Sequence, residues 1–475
     1  MNGDFALAVI AVLQALILAY FLLVNGMLTL LFSSAIVEMR AHRLGVWGEH
    51  PWRLLSSEVI PAITIIAPAH NEEMTIEESV RSLLTLSYPN LEVVIINDGS
   101  TDATVDVLRD RFDLVAIHAA PIRRRLDSAP IRGVMRSRRT PSLVVVDKEN
   151  GGKADALNVG LDVASGELVC AIDSDTIVER DALLRMVRPF LLDPGAVAVG
   201  GTIRAVNGCE VRHGRVVAER APRSYLPLLQ AMEYLRAFLA GRLGWNRLGG
   251  NLVISGAFGL FRREEMIAAG GYLHETVGED MEVVVRMRRA AKAAGRPGRA
   301  PFVPDPVAWT EVPARIRVLA RQRDRWHRGL ADVLRRHGRM ILNPREGVMG
   351  MVAAPYFVFV ELLAPVVELL GLVVTVAGLA TGAIDVEFAV LFLLVAYGWG
   401  IALSAGAVAL EEWTYRGYGS VGDRLLLLCG AVIESVGYRQ ATAVWRLHGL
   451  WRFARGRRDW GVMTREGFSD ATLRS

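Results

Sequence analysis

Three stretches of the chain, residues 5–37, 347–379 and 386–410, are apolar on every face of a helix. Each reaches the roughly 20 residues that a helix needs to cross a bilayer. The first has no basic leading region, exceeds the length of a signal sequence and lacks a small-residue cleavage site, so it reads as a retained anchor. Between Glu38 and Arg345 the pattern changes to short apolar runs separated by polar ones.

Those short runs alternate between two periods. Ile63-Thr-Ile-Ile-Ala67 is a β-rich run closed by Pro68, and a helical pattern follows from Glu72 through Ile76, Val80, Leu83 and Leu84. Leu91-Glu-Val-Val-Ile-Ile96 repeats the theme, with Thr101 or Asp102 suited to cap the next helix. Leu114–Ile117 and Leu143–Val146 are further strands, followed by a helix near Lys153–Val163 and a strand at Leu168–Ile172. Strand–helix alternation predicts right-handed βαβ units and an α/β fold with a mostly parallel central sheet. Ligands of such sheets sit beyond the carboxyl ends of the strands. There the sequence places His70-Asn71-Glu72, Asn97-Asp98-Gly99-Ser100, Lys148–Lys153 and Asp173-Ser174-Asp175.

Composition supports the division into apolar stretches and a polar middle. The chain has 475 residues, 52% hydrophobic and only 22% charged, and its mean hydropathy is +0.30. Cys170, Cys209 and Cys429 fall in separate segments without a CxxC spacing, which suggests neither a disulfide framework nor a zinc site. The net charge is +4. A basic insert, residues 121–141, carries Arg123-Arg124-Arg125 and Arg138-Arg139. No aromatic stacking platform accompanies it, which argues against nucleic acid and for anionic lipid headgroups as its partner.

Each strand-end cluster has a plain structural reading. Asn-Asp-Gly-Ser is a turn mixture, Glu149-Asn-Gly-Gly-Lys153 suits a loop needing positive φ, and Asp173 and Asp175 suit a helix cap. Their joint placement favours a site. An Asp-x-Asp pair at a strand end fits a hard divalent cation that completes its shell with water and phosphate oxygens. Lys153 and the glycine amides would then serve a diphosphate. Farther on, Ser255-Gly-Ala-Phe-Gly259 is a small-residue loop, and Val277-Gly-Glu-Asp-Met-Glu282 opens a helix over Val283–Ala294 with acids that also suit its dipole. Arg321-Gln-Arg-Asp-Arg-Trp-His-Arg-Gly329 is a cationic segment with one tryptophan, a composition common in interfacial belts.

Pro68-Ala-His-Asn-Glu-Glu73, Asn97-Asp-Gly-Ser-Thr-Asp102, Asn150-Gly-Gly-Lys-Ala-Asp-Ala-Leu-Asn158, Asp173-Ser-Asp175, Gly278-Glu-Asp280 and Gln322-Arg-Asp-Arg-Trp326 follow one another in order. This set resembles the membrane-embedded family 2 glycosyltransferases, which include cellulose, chitin, hyaluronan and poly-N-acetylglucosamine synthases. The resemblance covers about residues 60–345. It implies a GT-A fold and inverting transfer from a nucleotide-activated sugar, a UDP-sugar, to the end of a β-linked exopolysaccharide. Carried over, Ala69, Asn71, Glu72, Asp98, Lys153, Asp173, Gln322 and Arg325 bind the donor, with Asp98 at the uridine. Asp173 and Asp175 act through Mg2+ or Mn2+. Asp280, paired with Glu279, is the catalytic acid group that serves as base. Trp326 stacks beneath the acceptor sugar, and Gly256, Ala257 and Phe258 lie near the acceptor terminus.

The resemblance also implies a cell-membrane protein with a cytosolic catalytic domain. The expected organisation is an anchor and linker over 1–50, a GT-A domain over 51–345, transmembrane helices over 346–410, and an interfacial helix with a basic gating tail over 411–475. Leu425–Val444 reads as interfacial because Glu434 and Arg439 would each cost roughly 2.5–3.5 kcal/mol at a bilayer centre. In the tail, Trp460-Gly-Val-Met-Thr-Arg465 is similar to the Trp-Gly-Thr-Arg gating loop of hyaluronan synthases, interrupted by Val462 and Met463; Arg465 would close over the diphosphate. Implied partners are a UDP-sugar, a glycan or lipid acceptor, membrane lipids, and either a second copy or accessory secretion proteins, but no nucleic acid. The departures are Gly278 where cellulose synthases have Thr, the unmatched basic insert, and only about three spanning segments. Two other functions remain open to the sequence: single-sugar transfer to a lipid carrier, and a non-catalytic subunit of a secretion channel.

Overall fold

The computed structural model describes residues 2–46, 60–117, 124–173, 176–212, 214–415 and 417–457. Asp175, Trp460, Arg465 and the first residues of the basic insert therefore lie outside the described residues. Packing divides the chain into two compact units. Among the described residues, one comprises Gly45–Ala218 and Asn251–Glu311; the other comprises those up to Leu44, Glu219–Gly250 and those from Val312 to 457. This division crosses the expected 51–345 domain, because two segments inside it pack with the apolar helices.

The first unit is built on a mixed sheet. Its strands are β1 (Ile63–Ala69), β2 (Leu91–Asp98), β3 (Leu114–Ala116), β4 (Ile131–Ser137), β5 (Leu143–Lys148), β6 (Leu168–Ile172), β7 (Ile177–Val178), β8 (Ala198–Ala205), β9 (Glu210–Arg212), β10 (Arg215–Ala218), β11 (Phe258–Arg262) and β12 (Phe302–Thr310). Ten of them form one sheet in the order β3-β4-β5-β2-β1-β6-β11-β8-β12-β7. At its centre β5, β2, β1 and β6 run parallel, and their continuous apolar runs reflect burial on both faces. Antiparallel strands flank this centre: β4 beside β5, and β11 between β6 and β8.

The parallel core matches the sequence pattern strand for strand. The part read as a basic loop does not: residues 131–137 form β4, which pairs antiparallel with both β3 and β5. Arg132 and Arg136 are exposed, and Met135 and Ser137 between and beyond them are buried, so alternation rather than an apolar run marks this strand. The first helix also starts later than expected, at Ile76 rather than Glu72.

The helix Lys153–Val163 lies on the central strands and carries buried Ala156, Leu157, Val159 and Leu161. Gly160 is the point of closest approach. A Cβ there would stand 2.2 Å from Cγ2 of Ile66 on β1.

In the second unit, three helices among the described residues are long and apolar enough to cross a membrane: Leu7–Gly45, Ala364–Thr381 and Val386–Thr414. The expected stretch 347–379 is broken near Leu363, where Pro365 sits in the first turn of a new helix. The stretch 425–444 is not one helix either. Val421–Ile433 and Arg439–Ala454 are separated by Val436 and Gly437, whose φ values are −114° and 83°. Gln440 satisfies the groups this break frees: its Oε1 accepts the Gly437 N–H at 2.7 Å and its Nε2 donates to the Ser435 carbonyl at 3.1 Å.

Replacing Gly160 by alanine forces the Lys153 helix off β1. The variant is expected to lose about 1–3 kcal/mol of stability, as other overpacked cores do. A melting curve followed by circular dichroism should show the lower midpoint, and an unchanged midpoint would refute the close-packing argument.

Candidate active site

The loops after β1 and β2 are tied to each other. Asn71, in the left-handed region at φ 56°, accepts the Thr101 N–H on Oδ1 at 2.8 Å. Thr104 Oγ1 accepts the Glu72 N–H at 2.8 Å, Asp102 accepts that of Glu73 at 3.1 Å, and Glu73 accepts that of Ala103 at 3.0 Å. Ala69 is buried beneath them, while Asn71 is exposed. The Asn-Asp-Gly-Ser-Thr-Asp run is thus both a turn and half of a latched rim.

Beside this rim, parallel pairing sets Asp98 at the end of β2 level with Lys148 at the end of β5. The Lys148 ammonium is fully buried, 2.5 Å from Asp98 Oδ1 and 2.6 Å from Asp155 Oδ1. Asp98 also accepts the N–H groups of Gly151 on Oδ1 at 3.0 Å and of Gly152 on Oδ2 at 2.8 Å. Gly152, at φ 87°, makes the turn that starts the Lys153 helix.

Lys153 reaches the centre of the site. Its Nζ lies 2.5 Å from Asp173 Oδ1, just past β6, and 3.9 Å from Glu279 Oε1. Asp280 follows Glu279 at the start of the helix Glu279–Ala293. Its Oδ1 accepts the Met281 N–H at 2.8 Å and its Oδ2 the Gly256 N–H at 3.3 Å. Lys153, Ser255, Gly256, Tyr272, Glu279 and Asp280 line one pocket.

Three carboxylates around one ammonium set the electrostatics. Burial alone would lower the Lys153 pKa, but Asp173, Glu279 and Asp280 outweigh it and raise that pKa above the usual lysine value. Glu279 is pushed up to about 7, first by burial and then by Asp280, against the opposing pull of Lys153. Tyr272 is raised well above the usual tyrosine value by burial, with Glu279 and Asp280 adding to it.

Gly256 stands where the sequence placed it, but Phe258 does not offer its ring. Phe258 opens β11 opposite Ile172 and its side chain is wholly buried. Gln322, Arg325 and Trp326 belong to the other unit, on one face of the helix Ile316–Arg336. Trp326 is 43% exposed, and the Arg323 guanidinium covers one ring face at 4.4 Å from the centroid. On the same helix Asp324 is buried, accepting from Arg328 and Arg452 at 2.9 Å each and lying 3.1 Å from His448.

Other participants carried weaker signals. Asn158 clamps Tyr272 from both sides, accepting its N–H at 2.7 Å and donating to its carbonyl at 2.9 Å. Asn158 closes the Asn150–Asn158 motif, but nothing in that motif points to Tyr272. Asp155 accepts the Ala129 N–H at 2.9 Å, tying down the loop before β4.

Known families fit this geometry. The model for glycosyl transferase family 2 matches residues 64–264, and the model for glycosyl transferase family group 2 matches residues 168–403. The chain belongs to glycosyltransferase family 2. Its sheet-bearing unit has the GT-A fold. This family 2 glycosyltransferase is 28% identical over 283 residues to the poly-beta-1,6-N-acetyl-D-glucosamine synthase of Staphylococcus aureus (strain COL), covering 59% of this chain and 58% of that protein. It is 25% identical over 285 residues to the probable glycosyltransferase YdaM of Bacillus subtilis (strain 168), covering 58% and 57% of the two chains. The matches thus span less than two thirds of these curated relatives. Among solved structures, the mannosyltransferase PcManGT from Pyrobaculum calidifontis, in complex with GDP-Man and Mn2+, is 21% identical, with 90% of this chain and 99% of that chain covered and a TM-score of 0.49.

The raised Glu279 pKa fixes the sign of a pH effect. Between the ordinary carboxylate range and about pH 7 the folded protein holds a proton that the unfolded chain has lost, so stability falls as pH rises through that window and levels off above it. The Glu279→Gln variant lacks this component. Melting midpoints from pH 5 to pH 8 should therefore fall more in the wild type than in the variant; parallel curves would show that Glu279 titrates normally.

Proposed function

We propose that this glycosyltransferase moves a hexosyl group, with inversion, from a UDP-sugar to the end of a growing β-linked exopolysaccharide at the cytosolic face of the cell membrane. One observation carries the reading: Lys153, Asp173, Glu279 and Asp280 converge beside Gly256 at the carboxyl ends of parallel strands. The Staphylococcus aureus relative, a poly-beta-1,6-N-acetyl-D-glucosamine synthase by name, supports a polymer product.

Inversion is a single displacement at the anomeric carbon, needing a base on one side and charge stabilisation of the departing diphosphate on the other. Asp280 is the base. The Met281 and Gly256 N–H groups fix its two oxygens, which aims the carboxylate at an acceptor hydroxyl entering beside the Gly256 loop, and it takes that proton as the new bond forms. Lys153 turns its ammonium toward the diphosphate oxygens, and Glu279 and Asp173 hold it in place. Gln322 and Arg325 serve the donor, with Arg465 and the rim residues Ala69, Asn71 and Glu72. The open face of Trp326 takes the apolar face of the acceptor pyranose.

A divalent cation fits the donor set. Carboxylates outnumber the ammonium at the site. A site offering one or two carboxylates, Asp173 with Asp175, suits Mg2+ or Mn2+, which take their remaining ligands from water and phosphate. When bound, such a cation neutralises charge on the leaving diphosphate. UDP-sugars are cytosolic, so the sheet-bearing unit lies inside and the anchor crosses outward from it.

UDP release from a panel of UDP-sugars identifies the donor, and analysis of the products separates polymer from a lipid carrying one sugar. No release with any donor would sink the assignment. Asp280→Asn should abolish turnover while UDP affinity stays within a few-fold, because the base touches the acceptor; an equal collapse of UDP binding would remove Asp280 from that role. A reporter fused after Ser475 should signal from the cytosol, and an external signal would overturn the orientation.

A further inference from the structure

Lys148 lies outside every group that the proposed reaction uses, yet it is among the largest fully buried side chains of the chain. A buried ammonium is costly unless it is paired and hydrogen-bonded. Lys148 donates to Asp98 Oδ1 and to the Glu149 carbonyl, each at 2.5 Å, and Asp155 Oδ1 stands 2.6 Å away as a second ion-pair partner. Two carboxylates from distant parts of the chain are thereby held on one cation, a pairing whose geometry fails sharply when one partner is lost.

The pairing acts on the turn that launches Lys153. Asp98, fixed by Lys148, accepts the Gly151 and Gly152 N–H groups with its two oxygens. Asp155, the second partner, lies so close under the turn that a Cβ on Gly151 would fall 2.4 Å from its carboxyl carbon. Asn150 Nδ2 donates to the Asp98 carbonyl at 2.9 Å, which fixes the turn from its other side. The next residue is Lys153, whose Nζ sits 2.5 Å from Asp173.

We infer that Lys148 is a positioning residue of the transferase: through Asp98 and Asp155 it holds the Gly151–Gly152 turn, and so aims Lys153 at Asp173. Asp98 then also serves the donor by anchoring this turn, beside the uridine contact implied by the family resemblance. The effect on transfer rests on the reading of Lys153 as a donor-binding group; the effect on the turn does not.

Hydrogen–deuterium exchange on the full chain in detergent micelles tests the turn without any donor. In Lys148→Met, amides of residues 149–153 should exchange at least about tenfold faster while β1 and β6 keep wild-type protection. Asp155→Asn keeps the Lys148–Asp98 pair and should show the same local change more weakly, which preserves the test if the methionine variant does not fold. In both variants the donor KM should rise and the acceptor KM stay put, a split that general destabilisation would not produce. Unchanged exchange at 149–153, or acceleration spread evenly over the sheet, overturns the inference. A wild type inert toward every UDP-sugar would count against the donor assignment, leaving exchange to decide on Lys148.

Discussion

Level parallel strands place an aspartate and a lysine side by side at the ends of β2 and β5, in a buried setting. Neither charge is tolerable there alone. The register of two neighbouring strands, the turn after β5 and the start of the Lys153 helix are therefore coupled through one ion cluster. A slip of one residue would move Asp98 to the other face of the sheet and leave Lys148 without its partner. The active-site loops inherit their positions from this constraint, since Asp98 binds the glycine turn through its side chain and the His70 and Asn150 side chains through its carbonyl.

A second, wetter cluster surrounds Lys153, and the contrast between the two lysines is instructive. Lys148 is wholly buried between its own chain's carboxylates and out of a ligand's reach. Lys153 is about a quarter exposed and shares its charge among acids that stay in net excess. Closed clusters of the first kind give rigidity. Open ones of the second kind bind, because an incoming group can take over part of the charge that neighbours supply in its absence.

Much of this was legible in the sequence, for physical reasons that also explain the failures. Strands buried on both faces must be apolar throughout, so β1, β2, β5 and β6 stood out. The alternating Arg-Gly-Val-Met-Arg of β4 looked like a basic loop because its arginines face solvent. Asp173, Glu279, Asp280 and Lys153 were legible as a set only through the ordered motifs of the family resemblance, since acids open many helices of this chain. Lys148 was hidden by the rule that lysines are exposed, and the buried ring of Phe258 by its place in a glycine-rich loop. The break at Val436 and Gly437 was invisible because Gln440, three residues on from Gly437, repairs it through the side chain.

The path of the chain between the two units bears on how the protein is made. β8 is paired on one side by β11 and on the other by β12, and both follow the excursion Glu219–Gly250 into the other unit. While a ribosome is still translating that excursion, β8 has neither neighbour and β6 has one bare edge. Unpaired edges of buried strands are sticky. The nascent sheet must therefore wait, half finished, for roughly the time needed to translate the several dozen residues between β8 and β11. Of the three long apolar helices, only the first is made before this interval; Ala364–Thr381 and Val386–Thr414 follow the last strand, so the whole catalytic sheet is translated before either of them.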